Sequence, residues 1–247
     1  MIRLFPLSLR WHTRRAICEH KCFQIGKAQM NLSAYVLEAS EQDYKNAFDA
    51  HPLFAALQAG TFTRSAYLAY LRETFHLIRH TTSTFARAVS HVPEAHRAFR
   101  GWLLDQAVDE HNHDLLCITD IEALGEEPSK FLSSPPRRGA WGLITQGYYV
   151  AEHNPLALLG FLLTTEGLGA SYASKYAELL SSPTYGYKSS QVTFLRAHGG
   201  FDVKHFDDVK KYMDELAADD ALRDSILAVR RFTIMYYAQM LRDALEG

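Results

Sequence analysis

Cysteine is scarce. Cys18, Cys22 and Cys117 are the only three in 247 residues, too few and too unevenly placed for a disulfide framework, which points to a reducing compartment. No apolar stretch runs uninterrupted for the roughly 18 residues that a membrane-spanning helix needs. Neither sign of charge dominates: 26 Lys and Arg stand against 28 Asp and Glu, a net charge of -2, which leaves no electrostatic footprint for nucleic acid. Sustained period-two alternation, internal repeats and low-complexity tracts are also lacking. What remains is 47% hydrophobic and 22% charged, enough apolar surface to bury a core. The expectation is a globular, cytoplasmic protein that meets neither membrane nor nucleic acid. Against this plain background stand 12 histidines.

Residues 1–29 differ from the rest, with Arg3, Arg10, Arg14, Arg15, Lys21 and Lys27 against the single acid Glu19. Three readings of this basic extension compete: a transit-type leader, a start assigned upstream of Met30, or a basic surface arm. His12, Cys18, His20 and Cys22 form a chance cluster rather than a metal site, because a CxxxC spacing with no second half does not complete one. From residue 30 to 247 the sequence reads as one domain of successive helices. One runs from Ser65 to about Val89 and another from Pro93 to Leu124. The Pro-rich stretch from Glu126 to Gly139 is a loop. A short helix spans Trp141 to Glu152, and a long apolar one opens at Asn154-Pro155 and ends at Ser181-Ser182-Pro183. A further helix passes His198, is interrupted at Gly199-Gly200 and resumes at Asp202. The last is capped by Asp219 or Asp220 and ends near Leu245. The fold class is all-α, a bundle of about seven or eight helices.

The sharpest motif is His198-x-x-x-Asp202-x-x-His205. On a helix these offsets place three side chains within about 60° of one another, in a stripe roughly 10 Å long. Imidazole and carboxylate together suit Fe(II) or Mn(II); taken alone, the stripe reads equally well as an exposed polar face. Glu110 and His113 have the ExxH spacing with which one helix presents two ligands, although a solvated acidic turn gives the same pattern, and Asp109 and His111 fall on other faces. Glu166 is a lone carboxylate in an apolar helix. It is costly to bury unless it is paired or bound to a cation, and Gly167 and Gly169 remove bulk beside it. Glu73 lies among Leu71, Phe75 and Leu77, with His76 and His80 at i+3 and i+7. Counted together, Glu73, Glu110, His113, Glu166, His198, Asp202 and His205 are four carboxylates and three imidazoles. This is close to the donor set of a bundle-held pair of iron or manganese ions, and four carboxylates neutralise two divalent cations. Tyr67, Tyr70, Phe75, Tyr148, Tyr149 and Tyr172 are candidates to line a cavity there, and Tyr70 to act as a redox-active neighbour.

These motifs, with Leu156-Ala-Leu-Leu-Gly-Phe-Leu-Leu-Thr-Thr-Glu166-Gly, give a sequence that resembles the haem-oxygenase-like di-iron oxidases, iron-containing redox enzymes related to the TenA and PqqC proteins. The resemblance covers roughly residues 45 to 245 and is carried above all by HxxxDxxH. It implies a haem-oxygenase-like bundle in which Glu110, His113 and His198 hold one iron, and Glu73, Glu166, Asp202 and His205 the other. It further implies two Fe(II) ions, with manganese as the alternative metal, and O₂ as co-substrate. The implied reaction is oxidation of a small organic substrate by N-oxygenation, C–C cleavage or desaturation. An external electron donor and a second copy of the chain are admitted as partners. Two alternatives on the same scaffold are a metal-free TenA- or PqqC-like enzyme acting on a heterocycle, for which Cys117 is the one candidate nucleophile, and a non-enzymatic binding protein.

Overall fold

The computed structural model describes residues 30–246, so the readings made on residues 1–29 lie outside them. Three short helices come first, α1 (Leu32–Ala39), α2 (Glu41–Phe48) and α3 (Pro52–Gln58). Then follow α4 (Arg64–Ile78), α5 (Thr81–His91), α6 (Arg97–Asp109) and α7 (Asp114–Ala123). A short α8 (Pro128–Leu132) interrupts the Pro-rich loop before α9 (Arg138–His153). Next are α10 (Leu158–Leu168) and α11 (Ser174–Ser181), joined by a π-helical turn over Gly169–Ala173, and finally α12 (Thr193–Glu215) and α13 (Asp220–Leu245). The all-α architecture therefore stands, with shorter segments added to the long helices.

Local chemistry accounts for several boundaries. The Thr63 hydroxyl accepts the Ala66 N–H at the start of α4, and the Asp219 carboxylate accepts the Leu222 N–H at 2.8 Å at the start of α13, each satisfying a donor that helix geometry leaves unpaired. Of the two aspartates considered, Asp219 is the cap.

Three boundaries differ from the sequence expectation. The helix expected from Ser65 to Val89 breaks at Arg79-His80, where no proline or glycine marks it; His80 Nδ1 instead meets the hydroxyl of Tyr148 on α9 at 3.0 Å. The helix expected from Pro93 to Leu124 turns over Glu110 to His113, with Asn112 at φ 71°, a left-handed conformation that asparagine tolerates better than most residues. And α12 is not interrupted at Gly199-Gly200. A Cβ on Gly199 would stand 2.0 Å from Ser174 Oγ and 2.7 Å from Ser174 N; the glycine is there to let α11 approach, not to end a helix.

The stretch Pro155–Ser181 is central. It is long and apolar enough by composition to cross a membrane (27 residues, mean hydropathy 1.3), yet 61% of that window is buried inside the bundle. Leu158, Leu159, Leu162 and Leu163 are all but inaccessible and pack with Trp102, Leu103 and Ile226; each such side chain contributes about 1.5–3 kcal/mol. A second apolar cluster contains Tyr67, Leu71, Ile121, Leu180 and Leu241. The π turn and α10 pack along α12, which also touches α7, so the polar residues of these elements meet inside the bundle.

The two adjacent glycines of α12 make opposite predictions. A Cβ on the exposed Gly200 meets nothing within 4 Å, so Gly200→Ala should raise the unfolding free energy by about 0.5–1 kcal/mol. Gly199→Ala should lower it by about 1–3 kcal/mol through overpacking against α11. Urea denaturation of the two variants checks both signs.

Candidate metal centre

Six of the seven expected ligands converge in two sets. Glu110, His113 and His198 form one and Glu166, Asp202 and His205 the other, and within each set one ligand atom per residue lies within 4.8 Å of the others. The sets adjoin through Glu110: its Oε2 is 3.2 Å from His113 Nδ1, and its Oε1 is 4.0 Å from His205 Nδ1. One carboxylate thus turns one oxygen toward each set.

The helix α12 delivers His198, Asp202 and His205 on one buried stripe, as offsets of four and seven require. Glu110 and His113 do not share a helix. Glu110 caps the end of α6 and His113 the start of α7, and the left-handed Asn112 between them turns the chain so that both still face inward. Glu166 comes from the last turn of α10. The π turn that follows brings Gly169 against Asp202 so closely that a Cβ there would lie 1.5 Å from its Oδ2. π turns of this kind are frequent at functional sites.

Hydrogen bonding leaves the imidazoles ready to ligate. His198 Nδ1 is 2.9 Å from the Phe194 carbonyl. A carbonyl only accepts, so Nδ1 carries the proton and the Nε2 lone pair points into the site. That Nε2 is buried without a hydrogen-bond partner. His205 Nδ1 is likewise orphaned; it stands 3.4 Å from Glu166 Oε2 without the alignment of a hydrogen bond. Two unpartnered imidazole nitrogens aimed at buried carboxylates fit the donor set of a first-row divalent metal.

The charges say the same. Burial, then Glu166 and Glu110, push the Asp202 carboxyl up to about 10, and burial raises Glu166 above the usual carboxylate range. Burial also works to raise Glu110, but its hydrogen bond to His113 and the charges of His113, His198 and His205 hold it below its ordinary value. The Glu110 hydrogen bond raises His113, the Glu166 carboxylate raises His205, and burial depresses His198. No Lys or Arg ion pair reaches any of the three carboxylates among the described residues. Without a cation they cannot all ionise together.

Glu73 stands apart from both sets. It is fully buried, but its Oε1 takes Arg72 Nε at 2.8 Å and Arg72 Nη2 at 2.7 Å, while its Oε2 accepts the Arg137 N–H at 2.8 Å. Both oxygens are occupied, and Glu73 belongs to neither set. An adjacent arginine, masked in the sequence by the apolar neighbours, claims the charge. His76 and His80 do not replace it: His76 is buried against Phe75 and His80 pairs with Tyr148. Asp109 and His111 are exposed, as expected.

A cavity of about 130 Å³ reaches Glu110, Glu166, His198 and Asp202. Its other walls are mainly aliphatic and aromatic, with Tyr67, Tyr70 and Tyr172 among them. Of the remaining aromatic candidates, Tyr149 points outward at 65% exposure, Phe75 packs on His76, and Tyr148 is taken by His80. Sequence reasoning missed Phe194 and Tyr237. Phe194, one turn before His198, stacks on its ring at 4.0 Å, a contact legible in the i, i+4 spacing. Tyr237 on α13 lines the cavity; burial, then the charges of Asp202 and Glu166, raise its phenol far above the usual range. Nothing in its sequence neighbourhood signals that position.

A family described as iron-containing redox enzyme matches residues 68–237. No curated protein matches the chain. Among solved structures, a domain of unknown function with a haem-oxygenase-like fold from Shewanella denitrificans is 22% identical, with a TM-score of 0.75 over 85% of this chain and 90% of that one. A TenA homologue from Pseudomonas syringae is 12% identical, with a TM-score of 0.74 over 88% and 96%. The haem oxygenase of Leptospira interrogans is 13% identical, with a TM-score of 0.62 over 86% and 98%. At these identities the likeness establishes the fold, a haem-oxygenase-like bundle.

Glu73→Gln separates a structural role from a ligand role. The substitution should lower the unfolding free energy by about 1–3 kcal/mol, because it weakens a buried charged hydrogen bond, and should leave metal content unchanged. Elemental analysis beside chemical denaturation decides it; loss of metal from a folded variant would restore Glu73 to the ligand set.

Proposed function

Because this chain belongs to the iron-containing redox enzyme family, we propose that it is a non-haem di-iron oxidase or oxygenase that uses O₂ to oxidise a small, largely apolar organic substrate. The observation that carries the proposal is the pair of adjoining ligand sets, whose carboxylates no Lys or Arg pairs with among the described residues. In this reading Glu110, His113 and His198 would hold one iron and Glu166, Asp202 and His205 the other, with Glu110 turning one oxygen toward each set. When bound, two ferrous ions supply the electrons and the binding position for O₂. Three carboxylates neutralise three of their four positive charges, which leaves the pair attractive to an anionic ligand. Manganese suits the same oxygen and nitrogen donors.

The chain's own residues have separate tasks. The Phe194 carbonyl fixes the His198 tautomer, so that Nε2 meets a metal with no proton to displace. Asp202 gives up the proton that burial and its carboxylate neighbours keep on it, so metal binding and deprotonation are coupled at that oxygen. Gly169 leaves Asp202 the room to sit there. The apolar walls hold a carbon chain or ring against the ligand sets and keep bulk water from the reacting atoms. An external donor would return electrons between turnovers.

Of the metal-free alternatives, one that uses Cys117 as nucleophile is disfavoured by the surroundings of that thiol. Cys117 is fully buried, does not line the cavity, and is pushed by burial and nearby acids well above the usual thiol range, where the nucleophilic thiolate is scarce.

Protein prepared anaerobically with Fe(II) should retain about two irons per chain and consume O₂. His198→Ala and Asp202→Ala should each lose iron and O₂ uptake together. Wild-type iron content in both folded variants would refute the assignment of the stripe.

A further inference from the structure

Aromatic rings form an unbroken line from one ligand set to the surface. His198 stacks on Phe194 at 4.0 Å between centroids, and Phe194 meets Tyr70 edge-on at 6.5 Å. Tyr70 lies parallel to Tyr67 at 6.3 Å, and Tyr67 meets Tyr187 at 5.3 Å. Tyr70 and Tyr67 line the cavity, Tyr67 is fully buried, and Tyr187 is partly buried at the edge of the core.

Core packing alone does not call for phenols here. Phenylalanine fills nearly the same volume without a hydroxyl that needs a partner when buried, yet three consecutive rings on this line carry one. The middle phenol is also equipped to lose its proton. Tyr67 Oη donates to the Gln191 carbonyl at 2.8 Å, and the Asp120 carboxylate, anchored two and three residues further on by Thr193 and Phe194, is close enough for its charge to act on the phenol. Asp120 is fully buried and held by neutral donors: the Thr193 N–H and hydroxyl at 2.7 and 2.6 Å, and the Phe194 N–H at 3.0 Å. It belongs to neither ligand set, so a metal ion would leave it free to accept a proton.

We propose that Tyr70, Tyr67 and Tyr187 are a one-electron relay between the metal centre and the surface, with Tyr67 as the resting place of the radical and Asp120 as its base. This rests on the di-iron reading of the site. The relay would act if reaction of O₂ with metals held there left an oxidising equivalent at the ligand sets while no substrate filled the cavity. One electron passes inward from Tyr67 through Tyr70 and the Phe194–His198 stack. The Tyr67 O–H turns from the Gln191 carbonyl to the Asp120 carboxylate, the O–H bond breaks with transfer of the proton to that carboxylate, and a neutral phenoxyl stands beside a carboxylic acid. A one-electron reductant of the thiolate or reduced-flavin class, docking at Tyr187, supplies the replacement electron, and Asp120 returns the proton. The oxidising equivalent leaves the cavity before it attacks the walls.

The test loads the full chain with Fe(II) without air, measures iron content, mixes it with O₂ in the absence of substrate, and freezes it for electron paramagnetic resonance. Wild type should show a tyrosyl signal. Tyr67→Phe, with unchanged iron, should lose it and should accumulate oxidised peptides from the cavity walls by mass spectrometry. Tyr149→Phe, exposed and off the line, should keep the signal. Iron-loaded wild type that consumes O₂ with no tyrosyl signal overturns the relay alone, as does an undiminished signal in Tyr67→Phe. Wild type that binds no iron overturns the relay together with the di-iron reading.

Discussion

Three carboxylates, the buried Glu110 and Asp202 and the mostly buried Glu166, lie within reach of one another with imidazoles but, among the described residues, no Lys or Arg paired with them. Left to themselves they repel and resist ionisation, and Asp202 responds by holding its proton up to about 10. A cluster of this kind is expensive to maintain in a folded chain. The same charge density and the same orphaned imidazole nitrogens become favourable once divalent cations share the space. Glu73 shows the contrast: fully buried, it is paired with Arg72 and accepts the Arg137 N–H.

The bundle exists around that concentration of charge. An apolar α10 supplies the packing that holds its one carboxylate, Glu166, in place, and the π turn beyond it brings Gly169 against Asp202. Gly199 lets α11 close on α12 at the level of His198. The cavity that reaches the ligand sets is mostly apolar, so Glu110, Glu166, His198 and Asp202 meet a largely aliphatic and aromatic lining. Such a lining suits oxidation of an unactivated carbon or nitrogen in a dry pocket.

Much of this was legible in the sequence, for identifiable reasons. The stripe His198, Asp202 and His205 follows from helical periodicity, and a single acid in an apolar helix marks Glu166 through the cost of burying it. The helix N-cap at Asp219 is local chemistry. What escaped depended on side-chain and backbone geometry that spacing does not encode, some of it local and some between distant segments. Glu73 looked like its six counterparts because nothing in its spacing reveals that Arg72 folds back on it. Gly199-Gly200 suggested a break because propensity registers the missing side chains, not the helix that fills their place. Glu110 and His113 were expected on a continuous helix, and instead a left-handed Asn112 turns the chain between them. Tyr237 reaches the site from the far end of the sequence, a distance over which no pattern carries information.

The central claim is that cations complete the two ligand sets. Anomalous diffraction at the iron edge, from crystals of protein loaded with Fe(II) without air, tests it directly. Two peaks are expected, one among Glu110, His113 and His198 and the other among Glu166, Asp202 and His205. An interior without a peak, or iron found only at sites remote from both sets, would contradict it.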